Sequence, residues 1–337
     1  GTTTEAVIAN RDFALRGQAV CPTNVTNTTG LLAGTMQAAT QALADAGLDI
    51  AQVTAVGVGI PGQVNPETGQ VRHAVNLNIE SFALGEALRT HFQCPIYIDN
   101  DVFVAAMGAF QFLTNQPTQS LMYLSIGTGI SAGLILDGKL YRGAHGMAGE
   151  IGHMVMDVNG RACQCGNNGC LEALTAGPAI VTYGLDAQAQ GQSTALQALI
   201  GEMTPRAVYQ AARQGDPMAL DIIHHVGQFL GRALHTLVMA YDVDKIIIGG
   251  GLARAGEIFL QPILHEWDKQ RQRSTLADAM LNPAMLELVP PGYKTGAWGA
   301  VAFAAQKFTK NGSITNRVFL ALQRYFMRGL LAGSVKG

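Results

Sequence analysis

The stretch Ile96-Tyr-Ile-Asp99-Asn100-Asp101-Val102-Phe-Val-Ala-Ala-Met-Gly-Ala-Phe-Gln-Phe112 changes character at its polar centre. Ile96 to Ile98 reads as a short buried strand and Val102 to Phe112 as a helix, with Asp99, Asn100 and Asp101 at the join. Upstream, Val53 to Ile60 is a near-continuous Val, Gly and Ile run closed by Pro61 and Gly62, the pattern of a strand buried on both faces. Before it, a helix runs through Leu32, Met36, Ala39 and Leu43 to Gly47, and Glu5 to Asn10 reads as a strand. Downstream, Leu121 to Ser125 and Ala132 to Leu136 flank a glycine turn, with an Asp137-Gly138 turn after them. Helices follow over Pro205 to Gln214 and Met218 to Tyr241, then a strand over Lys245 to Ile248 that breaks into Gly249, Gly250 and Gly251, and a last long helix from about Ala297 to Phe308. The second half repeats the first in outline, so the fold class is α/β with two related domains.

Bulk composition narrows the function. At 337 residues the chain is long enough for two domains, and a cleft between them suits an enzyme with two substrates. Charged residues are 14% and hydrophobic ones 48%, a composition that supports large cores and not disorder. A net charge of −2 supplies no basic field for a nucleic-acid backbone. The most apolar stretch, Leu121 to Leu140, is cut by Gly127, Gly129, Gly133, Asp137 and Gly138, so it reads as paired strands and not as a membrane span. No signal peptide opens the chain, and three of its five cysteines crowd into one short loop, which fits a reducing, cytoplasmic compartment; Cys21 and Cys94 read as buried free thiols. Beyond Gly312, the residues Val318, Phe319, Leu322, Phe326 and Leu330, with Arg317, Arg324 and Arg328, predict a basic amphipathic helix in a tail over 314–337. Such a helix suits an oligomer or domain contact better than a membrane surface.

Three groups of residues carry chemistry. Cys163-Gln-Cys165-Gly-Asn-Asn-Gly-Cys170 places three thiolates in one loop, and His153 ten residues earlier completes a tetrahedral set. A closed set of four ligands has no open position, so a zinc ion there is structural. Glu150 and Glu172 flank the loop, where a rigid metal site would hold them for several sugar hydroxyls, and His153 can bind the metal through one ring nitrogen while donating from the other. Asp101 lies where a strand gives way to a helix, which favours the ionised carboxylate a base needs; Asp99 is a rival base, and helix capping is the bland alternative for Asp101. Ser125-Ile-Gly127-Thr128-Gly129-Ile130 and the opening Gly1-Thr2-Thr3 both read as small hydroxyl-bearing turns whose backbone amides could cradle phosphate oxygens, although neither is a Walker loop. Gly249 to Gly251 could leave room for a flat adenine or ribose, or be a plain tight turn.

The combination of Asn100-Asp101, Gly127-Thr128-Gly129, Gly149-Glu150-Ile151-Gly152-His153 and Cys163-x-Cys165-x4-Cys170-Leu171-Glu172 resembles the ROK family (repressors, open reading frames, kinases), most closely its zinc-containing bacterial glucokinase branch. The resemblance runs from Gly1 to about Phe308. It implies an actin-like ATPase (ribonuclease H-like) fold, two related α/β domains around a cleft. Residues 1–114 with about 297–313 would form the smaller domain, with sugar and phosphate loops, and 115–296 the larger, with the zinc loop and adenosine site. It assigns Asp101 as catalytic base and Gly62, Asn76, Asn100, Asp101, Glu150, His153 and Glu172 as sugar contacts. His153, Cys163, Cys165 and Cys170 become zinc ligands, Thr2, Thr3, Gly127, Thr128 and Gly129 the two phosphate loops, and Gly249, Gly250 and Gly251 the adenosine loop.

What the resemblance implies for activity is transfer of the γ-phosphoryl group of Mg-ATP to a hexose, glucose to glucose 6-phosphate by default, in a cytoplasmic homodimer or homotetramer. It also places a strand bearing Asp-x-Gly ahead of Gly1 and has no counterpart for the tail. Two alternatives stay open: an N-acetylmannosamine or N-acetylglucosamine kinase, and a sugar-sensing repressor whose DNA-binding domain would lie upstream. The retained Gly1-Thr2-Thr3 and Gly127-Thr128-Gly129 favour the kinase over the repressor, because a DNA switch has no use for phosphate loops.

Overall fold

The computed structural model describes residues 2–22, 27–74, 77, 79–114, 117–191, 194–197, 203–309 and 318–326. Its strands are β1 (Thr2–Asn10), β2 (Leu15–Pro22), β3 (Ala55–Ile60), β4 (Gln63–Asn65), β5 (Gln70–Ala74), β6 (Ile79–Phe82), β7 (Ile96–Asn100), β8 (Leu121–Ile126), β9 (Ile130–Leu136), β10 (Lys139–Tyr141), β11 (Lys245–Gly249), β12 (Leu286–Leu288) and β13 (Val318–Phe326). Its helices are α1 (Thr28–Ala46), α2 (Leu84–Phe92), α3 (Asp101–Phe112), α4 (Leu171–Thr175), α5 (Gly177–Ala189), α6 (Thr194–Gln197), α7 (Pro205–Arg213), α8 (Pro217–Tyr241), α9 (Glu257–Arg273), α10 (Thr275–Met280) and α11 (Thr295–Thr309). They fall into two compact units. The first takes the chain up to Tyr123, Ala132–Gly149 and the residues from Gly292 through β13; the second takes Leu124–Ser131 and Glu150–Pro291. These bounds differ from a division at 114/115, because 132–149 belong with the first unit.

The first unit is built on a five-stranded sheet of order β2-β1-β13-β3-β7, with a small β4-β5-β6 sheet beside it. Strand periodicity of two sorts the side chains onto opposite faces. Ala6, Ile8, Val56, Val58, Ile60, Leu320 and Leu322 join α1 and α2 residues such as Leu31, Ala38, Leu84 and Leu88 in one core. Val7, Ala9, Ala55, Phe319 and Ala321 join Val104 of α3 and Ala297, Ala300, Val301 and Phe303 of α11 in the other. Burial on both faces is why β3 reads as an unbroken apolar run.

The same reason corrects the expected tail helix. Over its described residues the segment is strand β13, antiparallel to β1 and parallel to β3, with Leu322 opposite both Ala6 and Val58. The helical spacing of Phe319, Leu322 and Phe326 was incidental: Leu320 and Ala321 between them are equally apolar and fully buried. A second correction concerns Thr2 and Thr3. They open β1, where Thr3 pairs with Pro22 on one side and Tyr325 on the other, instead of forming a turn. β-branched threonine is at home on such a pleated surface.

β13, β3 and β7 are parallel, with Ile60 opposite Asn100, so the Pro61-Gly62 loop and Asp101 leave the same edge of the sheet. The carboxyl edge of parallel strands is where open α/β sheets gather their ligand-binding groups. The other large sheet has the order β10-β9-β8-β11-β12, in which β11 and β12 are parallel; β8 and β9 contribute residues to both units. Among the described residues no helix is long and apolar enough to cross a membrane.

Candidate active site and metal centre

In the first unit the polar triplet at the end of β7 divides its duties. Asp99 is 1% exposed, and Arg142 grips both of its oxygens, Nη1 donating to Oδ1 at 2.8 Å and Nη2 to Oδ2. A buried carboxylate so neutralised cannot serve as base, which removes Asp99 as a rival. Asn100 is the cap of α3: its Oδ1 accepts from the Val102 and Phe103 amides, and its Nδ2 donates to the Gly62 carbonyl at 3.0 Å. The structure thus brings Gly62 and Asn100 together and gives the capping role to Asn100, leaving Asp101 as the first helical residue. Asp101 is half-buried, and its Oδ1 accepts from the Val102 amide at 3.0 Å. Its charge is felt nearby. The Tyr123 hydroxyl is pushed up first by burial and then by Asp101, against a hydrogen bond with Thr295 that lowers it. Asn76 lies outside the described residues, as does Asn78.

In the second unit the metal loop folds as its spacing suggests. The ligand atoms of His153, Cys163, Cys165 and Cys170 all lie within 4.8 Å of one another. Cys165 Sγ is 3.6 Å from Cys170 Sγ, and Cys163 Sγ is 3.7 Å from His153 Nδ1. A tetrahedron with metal–sulfur bonds of about 2.3 Å has edges of about 3.8 Å, so the four atoms fit a zinc-sized ion. The backbone fixes this shape: the Cys163 amide donates to the Asn167 carbonyl at 2.7 Å, the Gly169 amide to the Arg161 carbonyl at 2.7 Å, and the Leu171 amide to the Met154 carbonyl at 2.9 Å. Arg161 tethers the loop to α5 by an ion pair with Asp186, its guanidinium 4.5 Å from the Tyr183 ring centre. Without a metal's charge, burial pushes the Cys170 thiol up to about 12, while a hydrogen bond from the Asn167 backbone is the first of several that lower Cys165. A bound cation would favour the thiolate at both.

The glycines before His153 are needed for close approach. A Cβ on Gly149 would meet the Ala132 carbonyl oxygen at 1.8 Å, and one on Gly152 the Ile130 oxygen at 2.3 Å. Only glycine lets the Glu150-containing turn press against β9. Glu150 itself is exposed, as is His153, which ends a short 3-10 turn over Ile151–His153.

Glu172 has a partner that spacing along the chain did not suggest. Its Oε2 accepts from the Ile130 amide at 2.8 Å and stands 2.7 Å from where a Cβ on Gly129 would be. The metal loop, through the first turn of α4, is thus fastened to the Gly127-Thr128-Gly129 turn. That turn in turn holds α5, the Gly177 amide donating to the Gly127 carbonyl at 2.8 Å, and it lies against Gly251, whose nitrogen is 3.6 Å from where a Cβ on Gly127 would be. Gly249 ends β11, and Gly250, at φ 89°, packs its backbone on Ile126. The turn and the glycine run expected to hold phosphate and adenosine are therefore neighbours within one unit.

Two α/β units, parallel strands ending in polar loops, and a His-Cys cluster that could hold a metal, tied to a glycine turn, define a protein of the actin-like ATPase (ribonuclease H-like) fold. The ROK family model matches residues 1–307, and the chain belongs to the ROK family. Over 217 residues it is 33% identical to a glucokinase of Halalkalibacterium halodurans, a match covering 63% of this chain and 66% of that protein. Over 213 residues it is also 33% identical to a xylose repressor of Caldicellulosiruptor bescii, covering 63% of this chain and 53% of the repressor. Among solved structures, the ROK family glucokinase from Streptomyces griseus in complex with glucose and AMPPNP superposes with a TM-score of 0.72 at 26% identity, over 91% of this chain and 100% of that one.

Proposed function

We propose that this protein is an ATP-dependent hexose kinase, with glucose as the default acceptor and glucose 6-phosphate as the product. The observation that supports this reading is the division of labour at the end of β7, where Asp99 is neutralised by Arg142 and Asn100 caps the helix, which leaves the role of base to be assigned to Asp101. In this reading the first unit carries the sugar loops and the base, and the second carries the metal loop and the nucleotide turns. Asp101 orients the attacking hydroxyl and accepts its proton late in a loose phosphoryl transfer, which asks of the protein mainly positioning and charge stabilisation. Asn100, Gly62, Glu150, His153 and Glu172 align the sugar. The backbone amides around Gly127 to Gly129 receive phosphate oxygens, Gly249 to Gly251 leave room for the adenosine, and Thr2 and Thr3 add hydroxyls from the start of β1. Magnesium bound to the incoming ATP would offset charge on the transferred group. His153, Cys163, Cys165 and Cys170 would hold a zinc ion in a structural role, since four protein ligands would leave no position for a reacting water. Three metal-binding thiolates also support a cytoplasmic location.

A sugar-sensing reading is favoured by one finding, the equal identity to a xylose repressor. A coupled ADP-release assay against glucose, mannose, N-acetylglucosamine and N-acetylmannosamine separates the two. Sugar-dependent ADP release supports the kinase and ranks its substrates, whereas tight sugar binding with no release on any of them would return the chain to the sensor class.

A further inference from the structure

Arg142 stands immediately after β10, 43 residues along the chain from its partner Asp99. Its guanidinium is held in three ways: by the two Asp99 oxygens, and by the Phe103 ring of α3, whose centre is 5.6 Å from Cζ. Asp99 Oδ1 accepts from the Asn100 amide as well, at 2.9 Å. Forward along the chain, the Arg142 carbonyl accepts from the Ala148 amide at 3.1 Å, closing the 142–148 loop on itself just before the Gly149-Glu150 turn. Asp99, two residues before the helix that Asp101 opens, and Phe103 in the first turn of that helix are thus both held by one planar, two-pronged cation.

We propose that Arg142 is a positioning residue for the transfer reaction: locked on both oxygens of Asp99 and stacked by Phe103, it fixes the strand-to-helix turn that aims Asp101. The inference rests on the kinase reading above and deepens it. An isolated buried carboxylate is costly, so without the guanidinium Asp99 is driven to leave its pocket, which moves the backbone that carries Asn100 and Asp101. Lysine keeps the charge but not the fork, since an ammonium cannot bridge two carboxylate oxygens in the same plane and stack on an aromatic ring. Misplacement of a reacting group by about 1 Å lowers turnover by roughly 10²-fold, so a small rotation of this turn is enough to be measured.

The test is R142K in the full chain, assayed for ADP release together with its thermal midpoint. We expect kcat to fall at least tenfold, with KM for ATP within about twofold of the parent, because the Gly127–Gly129 and Gly249–Gly251 turns lie in the other unit and among the described residues Arg142 touches neither Thr2 nor Thr3, and with the midpoint within a few degrees. A fall of less than tenfold, or a loss that only follows the folded fraction, overturns the proposal. Should the lysine variant melt early, D99N/R142Q keeps a hydrogen-bonded, uncharged pair in the same place and is held to the same threshold. Hydrogen exchange at the Asn100 to Phe103 amides judges the clamp without any turnover. Exchange at least tenfold faster in R142K supports it and unchanged exchange refutes it, whereas a parent protein inactive on every sugar would sink the kinase reading alone.

Discussion

Leu320→Ala is the sharpest probe of how the first unit is assembled. In β13 this side chain is fully buried between β1 and β3, in the core that also holds Ile8, Val56 and Leu31. Removing three carbons from such a site costs about 2–5 kcal/mol, the spread depending on how far the neighbours collapse into the space. For a unit of roughly 150–250 residues each kcal/mol moves the midpoint by about 2–4 °C, so the expected drop is about 4–20 °C. In a helix whose apolar stripe runs through Phe319, Leu322, Phe326 and Leu330, Leu320 would point away from the contact, and its truncation would cost less than about 0.5 kcal/mol. Urea unfolding followed by a probe in the first unit measures the difference directly. A midpoint unchanged within error would mean that β13 does not occupy the slot between β1 and β3, and the sheet order would have to be redrawn.

Asp101→Asn should abolish turnover while leaving sugar affinity within about tenfold by calorimetry, since only the proton acceptor changes; an active variant would show that Asp101 is not the base. Cys165→Ala should release its metal to a chelator at concentrations that leave the parent loaded and loosen the loop over 157–169, read by metal analysis and proteolysis; a stable, active, metal-free variant contradicts the zinc assignment. Glu172→Ala leaves the Ile130 amide without its carboxylate, a loss of about 1–3 kcal/mol or roughly 5- to 150-fold, and should raise KM for ATP as well as for sugar. An effect confined to the sugar would mean that the carboxylate does not support the glycine turn.

Much of the frame was legible because it is written locally. Helices α7 and α8 begin at Pro205 and Pro217, each behind a polar cap, Thr204 and Asp216, and their apolar spacing follows directly. Helix α1 was placed correctly and its inner face in half: Ala39 and Leu43 are buried as expected, together with Leu31, Ala38 and Ala42, while Leu32 and Met36 are only partly buried. Helix α9 was missed. Pro262 in its interior reads as a breaker, and only the long neighbour α8 shows how the proline is accommodated, its Gly227 backbone lying directly beneath it. The tail was misread because an apolar run buried on two faces carries no periodicity to distinguish strand from helix.

The sequence by itself determined the groups available: three cysteines and a histidine within 18 residues, a carboxylate pair around them, glycine-rich turns, and a polar triplet where a strand meets a helix. Those groups are near one another along the chain, so covalent geometry alone confines them. That Asp99 is tied to Arg142, what Glu172 holds, and that residues 318–326 form a strand were decided only by the tertiary structure. Arg142 meets Asp99 across 43 residues, Glu172 meets Ile130 across 42, and β13 finds its slot beside a strand more than two hundred residues away. Contacts of that reach depend on the packing of the whole core, which no local spacing encodes.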